Sequence, residues 1–241
     1  MSQLYSLKVR VPDLPTAYKA SGIDYSKQST IDANIKMIQS INTTYGSICN
    51  KWGIVFNIPK EVIIAFIATE SGGRMLAPNK YKATGLMQVT PDAIWESVRK
   101  WDSIVKSPLP TEAKSELQRK IPQIFTSKAI QPDAITNNTI LSNLQKDANF
   151  NILCGTLVLR WLINRFSTSL TGGQLNKAMV AYNAGAYIKP LNISSSSPIV
   201  QPIDTIKLAT NRLVPLESRS YLYKMLGKDG FLALILQRNA I

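Results

Sequence analysis

Apolar residues recur at intervals of three and four along most of the chain, the spacing of one face of an α-helix. Ser29 or Thr30 caps a first helix in which Ile31, Ile35, Ile38, Ile41 or Asn42, Tyr45, Ile48 or Cys49, and Trp52 repeat on that spacing. Pro59 in the first turn, followed by Glu61, predicts a second helix, since proline and an acid both suit a helix start. Phe150, Leu153, Cys154, Leu157, Val158, Trp161 and Leu162 mark a third amphipathic stretch, read as core rather than site. Gln174 to Tyr182 predicts another, with Gly185 as its stop, and the last two run from about Glu217 to Leu226 and from Phe231 to Gln237. The pattern predicts an almost wholly helical, all-α fold.

Three stretches break the pattern. Residues 1 to about 28 hold Pro12, Pro15 and Gly22 and little periodicity, so 1–29 reads as an N-terminal arm before one domain at 30–241. Arg99 to Lys146 is polar and proline-punctuated, with a helix after Pro110-Thr111, and is either a surface insertion or one wall of a cleft. Ile188 to Pro215, with Ser194-Ser195-Ser196-Ser197, reads as a long loop. The longest apolar runs, Ile152 to Ile163 and Phe231 to Leu236, are too short or too interrupted to cross a bilayer, so no transmembrane helix is expected.

Glu70 ends the run Val62-Ile63-Ile64-Ala65-Phe66-Ile67-Ala68-Thr69-Glu70, immediately before Ser71-Gly72-Gly73. Counting back three, four and seven reaches Ile67, Phe66 and Ile63, so the acid projects from the face that packs into the core. A buried or half-buried carboxyl holds its proton nearer neutrality, with apolar pockets giving values of roughly 6. Such a proton can be donated. The plainer alternative is a surface helix end whose acid only looks inward on a helical wheel.

Two further blocks follow Glu70-Ser71: Gly85-Leu86-Met87-Gln88-Val89-Thr90-Pro91 and, far downstream, Ala181-Tyr182-Asn183-Ala184-Gly185. In that order the three resemble the signature motifs of the soluble lytic transglycosylases, whose catalytic domain is similar to goose-type lysozyme. Asn151-Ile152 with Gly155, and Glu217-Ser218-Arg219-Ser220-Tyr221-Leu222, are weaker echoes of the same family, and the resemblance covers roughly residues 50 to 227. It implies a lysozyme-like helical domain with a substrate cleft, acting on peptidoglycan glycan strands without a cofactor.

The resemblance also implies the chemistry. Between Ser71 and Pro91 there is no Asp or Glu, whereas most glycosidases use a pair of carboxylates. Glu70 would protonate the oxygen between N-acetylmuramic acid and N-acetylglucosamine, then take the proton of the muramyl 6-hydroxyl as that group closes a 1,6-anhydro ring. Gln88 and Asn183 would hold sugar amides and hydroxyls, or else brace their own turns. Met87 and Tyr182 would face the sugar, with the Tyr182 hydroxyl directed at Glu70 or substrate, or else belong to the core. Ser71 would contact substrate or cap the turn of Glu70, and Tyr221 would bind substrate or pack. A hydrolytic muramidase of the same fold, with Asp92 activating water, and a non-catalytic wall-binding component remain as alternatives.

Charge and composition narrow the partners. The formal net charge of +13 calls for an anionic partner, namely nucleic acid, acidic lipid or the bacterial wall. The cations are scattered and no nucleic-acid motif accompanies them, so the wall is preferred over nucleic acid, with simple solubility as the plain alternative. With no histidine, histidine triads and histidine-ligated metals are excluded, and no metal site is expected. Cys49 and Cys154, each in an apolar helical pattern, read as buried free thiols in preference to a disulfide. The N-terminus lacks the pattern of a secretory signal, which leads to the expectation of delivery by a phage tail or a phage lysis system.

Overall fold

The computed structural model describes residues 27–166, 175–185, 209, 212–237 and 240–241. Residues 1–26 of the expected arm, and most of the expected loop at 188–215, lie outside the described residues. Among the described residues the regular structure is helical, without a strand, and the one β-type feature is an isolated antiparallel bridge between Thr84 and Val89. No helix among them is long and apolar enough to cross a membrane. The described residues cluster into two compact units, one of Thr43–Trp161 and one of the residues up to Asn42 together with those from Leu162 onward.

Helix α1 (Gln28–Phe56) starts slightly before the expected cap, because the Lys27 carbonyl accepts the N–H groups of Thr30 and Ile31, both at 3.0 Å. Its predicted apolar face holds: Ile31, Ile38, Ile41, Cys49 and Trp52 are all buried. Helix α2 (Lys60–Glu70) follows Pro59, which sits one position ahead of the first turn and accepts from Val62 N–H at 3.0 Å. From Val62 to Thr69 every residue is buried. A helix apolar on all sides belongs in the middle of a core, and each large side chain so buried contributes about 1.5–3 kcal/mol. α2 is therefore a rigid carrier for whatever stands at its end.

Thr90 and Pro91 start α3 (Pro91–Arg99): Thr90 Oγ1 accepts Ala93 N–H at 3.2 Å, and the missing proline N–H costs nothing at a first helical position. The region from Arg99 to Lys146 holds more helix than its polarity suggests, with α4 (Trp101–Val105), the expected α5 (Thr111–Lys120), a 3-10 turn (Pro122–Ile124) and α6 (Ala134–Lys146). The stripes they bury are narrow: Ala113 and Leu117 in α5, and Thr136, Ile140 and Leu144 in α6. This region is tied down, since Trp95 Nε1 donates to Ala129 O at 3.1 Å and Arg99 Nη1 to Ser127 O at 2.8 Å.

α7 (Ala148–Arg165) is the helix expected from Phe150 onward, but every residue from Phe150 to Leu159 is buried, where the sequence predicted one apolar face. The other described helices are α8 (Leu175–Ala184), α9 (Leu216–Leu226) and α10 (Phe231–Gln237). α8 packs on α9, and α9 on α10. Gly185, in a left-handed conformation with φ 94, ends α8 as the sequence predicts.

Candidate active site

Glu70 is half-buried at the last position of α2, where eight consecutive buried residues lead up to it. Ser71 fixes the turn beyond. Its hydroxyl donates to Ile67 O at 3.1 Å and accepts Gly73 N–H at 3.2 Å, while its carbonyl accepts from Arg74 Nε at 3.2 Å. The side chain is 4% exposed. Ser71 thus spends its hydrogen-bonding capacity on the helix end that presents Glu70, which is the capping role weighed from the sequence.

The Gly85-Leu86-Met87-Gln88 block forms the tip of a closed turn. Thr84 and Val89 exchange both backbone hydrogen bonds, at 3.1 and 3.2 Å, so four residues are pinched between them. Gly85 has φ 79, and a Cβ there would come within 2.7 Å of the Leu144 carbonyl, so no other residue fits. The turn is joined to the segment after Glu70 by Gly85 N–H donating to Leu76 O at 2.8 Å.

Gln88 is half-buried and has φ 47, in the left-handed region that non-glycine residues avoid. Its Nε2 donates to Gly85 O at 2.9 Å, which fixes the amide across the turn. Among the described residues its Oε1 makes no hydrogen bond. Met87, expected to face a sugar, instead points inward and is fully buried. Its thioether lies against Gly155 of α7, where an added Cβ would stand 2.7 Å from Met87 Cβ and 2.8 Å from Cε.

Asn151 was noted in the sequence only as an echo of a motif, yet it holds this turn. Fully buried in α7, it accepts Met87 N–H on Oδ1 at 2.9 Å and donates from Nδ2 to Thr84 O and Leu144 O, each at 3.0 Å. Both its N–H donors and one oxygen lone pair are therefore in use. The signal was legible: a lone amide within Phe150-Asn151-Ile152-Leu153-Cys154 must find partners in a core.

The remaining sequence candidates belong to the other compact unit. Tyr182 and Asn183 are half-buried in the last turn of α8, and Tyr221, at 5% exposure, is buried in α9. Asn183 Oδ1 accepts the Ser218 hydroxyl at 2.6 Å, linking the end of α8 to α9. Asp92, the nearest acid after Glu70, is exposed in the first turn of α3, where a negative charge suits the helix N-terminus.

A half-buried acid at a helix end, and a turn bonded to the segment after it that fixes an amide with an available acceptor, are groups suited to protonating and holding a polar, uncharged ligand. Residues 47–111 match the family model of the transglycosylase SLT domain. The match spans less than a third of the chain and takes in Glu70, Ser71 and the whole 84–89 turn, while Asn151, the Ala181–Gly185 block and Tyr221 fall beyond it. No curated protein matches the chain.

Proposed function

We propose, on the premise that the match of residues 47–111 to the transglycosylase SLT domain reflects shared chemistry, that the protein is a peptidoglycan lytic transglycosylase. It cleaves the β-1,4 bond from N-acetylmuramic acid to N-acetylglucosamine and leaves a 1,6-anhydro muramyl end. The observation that carries this reading is Glu70: a half-buried acid closing a buried apolar helix, with no second carboxylate before Asp92.

In this reading Glu70 begins protonated and gives its proton to the bridging oxygen as the bond to the anomeric carbon breaks. The resulting carboxylate accepts the proton of the muramyl 6-hydroxyl while that oxygen bonds to the anomeric carbon. The acid is regenerated and no water is consumed. An intramolecular nucleophile removes the need for a second carboxylate to activate water. Gln88 offers Oε1 to an acetamido N–H or a hydroxyl. Asn183, its Oδ1 engaged by Ser218, offers Nδ2 as a donor. Tyr182, half-buried at the end of α8, keeps the sugar contact implied by the resemblance, while Tyr221, buried in α9, takes the packing role weighed beside it. Ser71 and Met87 act indirectly, Ser71 by setting the turn after Glu70 and Met87 by anchoring the turn of Gln88.

Mass spectrometry of muropeptides released from purified sacculi tests the proposal. Wild type yields anhydro ends, one water lighter than hydrolytic products, and Glu70→Gln lowers their yield by about 10²–10⁴-fold, the range for loss of a general acid. Reducing ends alone mean hydrolysis. Equal clearance by wild type and Glu70→Gln means a wall-binding module without turnover.

A further inference from the structure

From Ser71 to Pro91 the chain carries Arg74, Lys80 and Lys82 and not one acid. The two lysines flank Tyr81 in a tight loop. Asn79 Oδ1 accepts the N–H groups of Tyr81 and Ala83, at 2.8 and 3.1 Å, Asn79 O accepts Lys82 N–H at 2.8 Å, and Lys82 has φ 63. The loop is held at its base as well, by Gly85 N–H on Leu76 O and by the Thr84–Val89 bridge. Its shape is set by its own backbone and one asparagine, so it displays its three outer side chains without needing them for packing.

Tyr81 is 71% exposed, one of six large apolar side chains left in solvent among the described residues, and Lys80 Nζ stands 4.8 Å from its ring centroid. A cation over one ring face holds the ring in place and leaves the rest of the aromatic surface open. Among the described residues neither Lys80 nor Lys82 is paired with a carboxylate. A fixed aromatic plate between two unpaired cations fits a ligand with an apolar ring face and carboxylates nearby.

Resting on the reading of the protein as a peptidoglycan-cleaving enzyme, we propose that Lys80, Tyr81 and Lys82 form a binding surface for peptide-bearing glycan: Tyr81 stacks on a sugar ring and the lysines hold the carboxylates of the stem peptide. The protein would then prefer wall that still carries its peptides over naked glycan.

Sedimentation with sacculi freed of phosphate-bearing wall polymers tests this, using the full chain with Glu70→Gln so that binding is read without turnover. Tyr81→Ala is expected to weaken binding by about 5–10-fold, within the range of one exposed aromatic contact. Lys80→Ser with Lys82→Ser weakens it by roughly 3–10-fold at low salt, and less at high salt, as two exposed ion pairs would. On glycan stripped of its peptides by an amidase, with the lactyl carboxylates so uncovered then capped as amides, the tyrosine effect persists and the lysine effect falls below about twofold, the scale of a single weak surface pair. Binding of both variants equal to that of the parent overturns the proposal, as does a lysine effect of the same size on stripped glycan or a parent that does not bind sacculi. If anhydro products form while these binding results fail, only the surface is refuted. If binding behaves as expected but wild type releases no anhydro ends, only the transglycosylase outcome is refuted.

Discussion

Asn151 and Met87 are joined by a hydrogen bond of 2.9 Å, from the Met87 backbone N–H to the Asn151 side-chain oxygen, across 64 positions of sequence. With the Asn151 bonds to Thr84 O and Leu144 O, it makes the turn of Gln88 an extension of α7. Asn151→Leu keeps much of the side-chain volume and takes the Asn151 partner from the buried Met87 N–H and Leu144 carbonyl, while the Thr84 carbonyl keeps the Val89 N–H. It is expected to destabilise the protein by about 2–4 kcal/mol, because an unmet buried polar group costs more than a hydrogen bond gains. Urea unfolding measures this, and an unchanged midpoint would contradict the latch.

Gly155→Ala places a methyl against the Met87 side chain, which is fully buried and has no solvent to move into. Overpacking of that kind costs about 1–3 kcal/mol. Met87→Ala removes the contacts with the sulfur and Cε and leaves that with Cβ at 2.7 Å, so the double variant is expected to lose at least about 0.5 kcal/mol less than the two single losses combined. Strict additivity in the double-mutant cycle would mean the two residues do not meet.

Asp147 stands ahead of α7, with Oδ1 accepting Phe150 N–H at 3.0 Å and Oδ2 pairing with Lys120 Nζ at 2.7 Å. Burial alone pushes its carboxyl up. The hydrogen bond from Lys120, the Phe150 N–H, the Lys120 charge and the Asn149 N–H outweigh this, and hold it below its ordinary 3.8. A carboxyl depressed in the folded state stabilises fully above its unfolded value, and that contribution drains away as pH falls through the folded value. Asp147→Asn should therefore cost about 1–2 kcal/mol at neutral pH, the scale of a helix cap plus a partly buried pair. The gap to wild type should narrow below pH about 4. Melting temperatures at pH 7 and pH 3 check this, and a gap that widens in acid reverses the sign of the argument.

Cys49 and Cys154 are free and buried. Burial pushes the Cys49 thiol up to about 12, against a backbone hydrogen bond and the charge of Lys60, and raises that of Cys154 well above its ordinary value. Only the thiolate attacks disulfide reagents. A chromogenic disulfide at pH 8 is expected to leave the folded protein unmodified and to titrate both thiols in guanidinium. Rapid labelling of the native state would show that one of them is reachable.

Helices with broad apolar faces were legible in the sequence. The seam of α1, the all-apolar α2 and the stop of α8 at Gly185 follow from spacing and one glycine. α3 is not predicted by the apolar spacing, although Thr90-Pro91 is a cap followed by a proline at the first helical position, because nine residues hold too few turns for a period to show. α6 was missed because three buried residues in four turns leave a weak period, even with Asp133 Oδ1 accepting Thr136 N–H at 2.7 Å as its cap. At the candidate site, the half-burial of Glu70 follows from helical counting. The inward Met87 does not, since no helical or strand period governs a four-residue turn, and the direction of its side chain is set by Asn151 and Gly155 far along the chain.

The left-handed backbone of Gln88 sets an evolutionary constraint on that turn. A residue with a Cβ is less stable there than glycine by about 1–2 kcal/mol, so drift toward greater robustness at position 88 leads to a residue without a side chain and away from the amide. Persistence of glutamine in a lineage would thus record selection for what the amide does, both in bracing the turn through Gly85 O and in offering its Oε1.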